Sequence, residues 1–90
     1  MKLTIIPSDN TVYVDKVSQD KLELLDIPLN IHALQWQDTQ GHIEFSDSKP
    51  NEDIIVLPDW ANNAVTVWTV SMDKFKAENL ALGIASTGAK

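Results

Sequence analysis

The sequence predicts an α+β fold, a small antiparallel sheet of three to five strands with one long amphipathic helix laid across one face. Three observations carry that prediction. Residues Ile31 to Phe45, IHALQWQDTQGHIEF, alternate apolar and polar side chains with period two on both sides of a turn signal. Residues 58–80 repeat their apolar side chains at helical spacing instead. Ninety residues with 43% hydrophobic content make one domain around a single core.

In chain order, Lys2–Ile6 and Thr11–Val14 are rich in strand formers and flank Pro7-Ser8-Asp9-Asn10, so they predict a first hairpin. Asp15–Asp20 reads as a polar connection. Lys21–Leu25 reads equally as a short strand or one helical turn. Asp26–Asn30 is a loop, because Pro28 has no ladder donor and moves Ile27 out of the helical region.

The hairpin 31–45 is the expected centre of the sheet. With the turn between Thr39 and Gln40, Gln37 opposes His42, Trp36 opposes Ile43 and Leu34 opposes Phe45, and Gly41 supplies a positive φ. His32, Leu34, Trp36, Ile43 and Phe45 then share the core face, while Gln35, Gln37, His42 and Glu44 share the other. Ser46–Glu52 is the most polar stretch and holds Pro50, which makes it a surface loop, followed by a single helical turn through Ile54-Ile55.

Pro58 suits the first turn of a helix and Asp59 complements its dipole. At 100° per residue, Trp60, Ala61, Ala64, Val65, Trp68, Met72 and Phe75 form one stripe. The β-branched run Val65–Val70 argues locally for a strand, at a cost in a helix of a few tenths of a kcal/mol per residue. Burying the aromatic stripe outweighs it at about 25 cal/mol per Å². The expected core is Leu34, Trp36, Ile43, Phe45, Val65, Trp68, Met72 and Phe75. The helix is expected to fray between Asn79 and Leu82 and stop at Gly83, giving a domain of residues 1–82 and a tail of 83–90.

Composition excludes more chemistry than it suggests. A formal charge of −6, with thirteen acids, seven lysines and no arginine, argues against nucleic acid as a partner. There is no cysteine, hence no disulfide and no thiolate metal site. No apolar run approaches the roughly 20 residues of a membrane span, and the start MKLTIIPSDN lacks a signal-peptide core, so a soluble chain that is not exported is expected. His32 and His42 fall on opposite faces and are too few for a metal. No serine sits in a nucleophile elbow, and Gly41, Gly83 and Gly88 are too far apart for a phosphate loop. The expectation is a protein without enzymatic activity, metal or cofactor. The polar sheet face is a binding surface or, more ordinarily, the solvated side of a one-layer sheet. Trp60, beside a proline loop, is a core residue or an interface anchor, core being the more ordinary role for so large a ring; as an anchor it has Glu52, Ile54, Ile55 and Asp59 around it.

One resemblance adds to this. His32-Ala33-Leu34-Gln35-Trp36, Gly41 with Ile43-Glu44-Phe45, Pro50-Asn51-Glu52, Leu57-Pro58-Asp59-Trp60 and Trp68 resemble a pattern in small proteins of tailed bacteriophages, typically encoded near tail-fibre or tail-tip genes. The resemblance covers about residues 1–70 and brings no catalytic or ligand residues. It implies a protein made in the bacterial cytoplasm and located in the virion. Its partners would be other tail proteins, a fibre or baseplate subunit, and a homo-oligomer is expected because a lone sheet leaves an edge open. The alternative is a small acidic effector that inhibits a host defence protein by offering Asp47, Glu52, Asp53 and Asp59 in place of nucleic-acid phosphates.

Overall fold

Strands β1 (Lys2–Ile6) and β2 (Thr11–Val14) are joined by one 3-10 turn at Pro7–Asp9 in the computed structural model, which describes residues 1–87 and side-chain surroundings through residue 74. Pro7 opens the turn, where its fixed φ is suitable. Asn10 ends it in the left-handed region (φ 51°), its amide donating to the Pro7 carbonyl at 3.1 Å. A tight turn with Asp15 left-handed (φ 55°) adds β3 (Val17–Gln19). Then follow β4 (Ile31–Gln37), β5 (Gln40–Phe45), β6 (Glu52–Ile54) and the helix α1 (Asp59–Thr87).

The sheet is six-stranded and antiparallel in the order β3-β2-β1-β4-β5-β6. Two three-stranded meanders thus stand back to back, meeting where β1 pairs with β4. The α+β class is the one the sequence predicts, with one strand more than the upper end of the expected range. The additional strands are short and polar: β3 lies in the expected connection 15–20, and β6 replaces the helical turn expected through Ile54-Ile55. Pairing with a neighbour, and not local propensity, decides such edge segments. Lys21–Leu25 is neither strand nor helix. It belongs to the crossing from β3 to β4, anchored by buried Leu22, whose amide donates to the Asn10 carbonyl at 2.9 Å.

The central hairpin is tighter than expected. Leu34 pairs with Ile43, Trp36 with Gly41 and Gln37 with Gln40, a shift of two residues that leaves Asp38-Thr39 as the loop. Asp38 takes the positive φ (58°), and Gly41 does not. A shift of two keeps every side chain on its expected face. One exception follows from a bulge between Ile31 and Ala33, which turns Ile31 into the core and His32 out to solvent.

The core face carries Leu3, Ile5, Val12, Val14, Ile31, Leu34, Trp36 and Ile43, all buried, with Ala61 and Ala64 of α1 against them. The helix enters from the β6 side and rests on β2 and β3. There Trp68 Nε1 donates to the Val17 carbonyl at 3.1 Å, Ser71 Oγ donates to Gln19 Oε1 at 3.0 Å, and Gln19 Nε2 donates to Met72 Sδ at 2.8 Å. Of the expected core, Leu34, Trp36 and Ile43 are buried, whereas Phe45, Val65, Trp68 and Met72 are half-buried. The Phe75 side chain lies outside the described residues. The helix starts at Asp59, with the Pro58 carbonyl accepting from Ala61 and Asn62, and continues past Gly83 to Thr87. Of the expected tail, residues 88–90 lie outside the described residues.

Candidate functional site

With the helix on the core face, the other face of the sheet carries a continuous polar row. Strand alternation sends Lys2, Thr4, Tyr13, Ser18, Gln35, Gln37, Gln40, His42, Glu44 and Asp53 to that side. Pairing registers then align Ser18 with Tyr13, Tyr13 with Thr4, Thr4 with Gln35, Gln35 with His42 and His42 with Asp53, one residue from each strand.

Two hydrogen bonds fix the middle of this row. Thr4 Oγ1 donates to Gln35 Oε1 at 2.7 Å, and His42 Nε2 lies 2.9 Å from Glu44 Oε2. Shallow depressions flank Lys2 on either side. One, of about 610 Å³, runs over Gln35, Gln37, Gln40, His42 and Asp53 to Ile55. The other, of about 450 Å³, lies over Thr4, Ile6, Tyr13, Asp15 and Lys16. The arrangement offers hydrogen-bond donors and acceptors on a broad surface. Among the described residues no three His, Asp or Glu side chains are grouped to hold a metal ion.

The residues expected at an interface lie beyond this face, around β6 and the helix start. Glu52 and Asp59 are exposed, and Ile55 is 80% exposed beside Val56 at 73%. Ile54 and Trp60 are half-buried and pack against the core, so Trp60 is more core than anchor. Asp47, Glu52, Asp53 and Asp59 are all in water. Lys49 sits over the Phe45 ring with its ammonium 4.4 Å from the centroid, which shields part of that half-buried side chain.

Sequence reasoning singled out Gln35, Gln37, His42 and Glu44 on the polar face and missed Lys2, Thr4, Tyr13 and Asp53. The alternation of β1 and β2 gives a signal for the first three. That they line up with Gln35 and His42 depends on β1 pairing with β4, which no local pattern encodes. Comparison of the chain with family models, curated proteins and solved structures gives no match. No helix among the described residues is long and apolar enough to cross a membrane.

Proposed function

We propose that the chain is a non-enzymatic bacteriophage protein, a structural or assembly component of the virion tail that works through contacts with a fibre or baseplate subunit and with copies of itself. The resemblance in residues 32–61 and Trp68 supports the origin. Those residues form the scaffold: HALQW lies in β4, GHIEF in β5, Glu52 opens β6, and Asp59 and Trp60 open α1. The observation that carries the manner of action is the open border at β6. Among the described residues this strand pairs only with β5, and the two adjacent β-branched side chains that follow it, Ile55 and Val56, stand in water. An unpaired edge beside exposed apolar side chains is a surface that association covers.

The anchor is accordingly Ile55, with Glu52, Ile54 and Asp59 near it in the chain, and Trp60 belongs to the core packing. Co-expression with the neighbouring fibre protein followed by pull-down tests this. The intact chain should be captured, and Ile55→Lys should lower capture about tenfold or more while leaving the melting curve in place. Capture that is unchanged by Ile55→Lys counts against the β6 border. The second reading, an acidic inhibitor of a host protein, is favoured by the shared exposure of Asp47, Glu52, Asp53 and Asp59. It predicts capture of a basic host protein that weakens steeply with salt.

A further inference from the structure

We propose that the open face of the sheet binds a neutral oligosaccharide along the row Tyr13, Thr4, Gln35, His42 and Asp53. This goes beyond the tail-assembly reading and, apart from Asp53 of β6, uses different residues from the β6 border. The row spans five strands, so at about 4.8 Å per strand its ends lie roughly 19 Å apart. The depressions on either side share Lys2 and so form one elongated surface, mixed in character over Gln35, Gln37, Gln40 and Asp53 and more apolar over Ile6 and Tyr13.

The side-chain chemistry selects the ligand class. Sugar hydroxyls both donate and accept, and planar amides and carboxylates answer them in pairs. Gln35, Gln37 and Gln40 supply three carboxamides, and Asp53 supplies a carboxylate. Tyr13, 39% exposed at one end, offers a ring to the C–H face of a sugar and a hydroxyl to its edge. The central groups are oriented in advance. With Gln35 Oε1 taken by Thr4, the Gln35 amide nitrogen is left for a ligand, and Glu44 steadies the His42 ring. Such pre-orientation reduces the entropy lost on binding.

Charge and shape remove the competing classes. Lys2 and Lys16 share the face with Asp15, Glu44 and Asp53, so no single-sign field exists to hold a phosphate chain. Shallow and open, the surface would leave most of an apolar small molecule in water.

The test is an array of neutral oligosaccharides of four to six units probed with the full chain, followed by amide NMR titration with the best array sugar. Saturable binding is expected, with shifts concentrated at residues 2, 4, 13, 35, 37, 42 and 53. Gln35→Glu, which keeps the shape and replaces the donor by an acceptor, and His42→Ala should each weaken binding about tenfold or more. Asp73→Asn, on the helix, should leave it unchanged. No saturable neutral sugar overturns the proposal, as does binding confined to phosphorylated or sulfated sugars, binding unaffected by both variants, or shifts centred on Ile55 and Val56. If Gln35→Glu fails to fold, His42→Ala alone decides.

Discussion

Gly41 holds its place through closeness and not through conformational freedom. A Cβ built there would run into the Gln35 carbonyl oxygen and come within 2.8 Å of the Trp36 Cα, and backbone cannot step aside as a side-chain end can. Gly41→Ala should therefore destabilise by about 1–3 kcal/mol, the range for overpacking, measured by urea denaturation; no change in midpoint would mean that β4 and β5 are less closely apposed. The tryptophans should separate in the same assay. Trp36 is 8% exposed with its indole N–H on the Asp38 carbonyl at 3.1 Å, and Trp36→Ala should cost about 3–5 kcal/mol. Trp68 is only half-buried, and with one hydrogen bond to β3 its removal should cost less, about 1–3 kcal/mol; equal losses would contradict the difference in burial. Leu34, Trp36 and Ile43 were legible as core because period-two alternation survives a register shift of two. His32 was not, since a bulge changes the parity of a strand without a sequence mark as plain as glycine or proline.

At the level of elements, the helix wins over the β-branched run because both of its demands are met. Thr66 and Thr69 return their hydroxyls to the carbonyls of Asn62 and Val65 at 3.2 and 2.9 Å, so the residues that weaken a helix find partners within it. Small residues let it come close: Ala61 and Ala64 are buried within the core cluster, while the larger Val65 and Trp68 are only half-buried. Ala64→Leu should lift the helix from the sheet and destabilise by about 1–3 kcal/mol. A variant as stable as the parent would show that the helix packs less tightly than described. The long elements were readable because each carries several periods of its pattern. The three-residue strands β3 and β6 carry barely one, and their pairing comes from the strands beside them.

Across the whole molecule, strand order is the least legible feature, because the crossing 20–30 carries the chain past β2 and β1 to pair β4 with β1. The candidate sites inherit that limit. Glu52, Ile55 and Asp59 were legible as exposed residues from polarity and loop context, but the row from Tyr13 to Asp53 exists only once the order β3-β2-β1-β4-β5-β6 is known. The order also distinguishes two surfaces, an open edge at β6 and an open face on the side of the sheet away from the helix. The central functional claim is that this chain belongs to a phage tail, and quantitative mass spectrometry of purified virions tests it most directly. The account predicts the chain at a copy number in fixed ratio to a tail-fibre or baseplate subunit, or, for an assembly factor, bound to that subunit in infected cells. Its absence from particles together with its absence from every tail-protein complex in the infected cell would contradict the account.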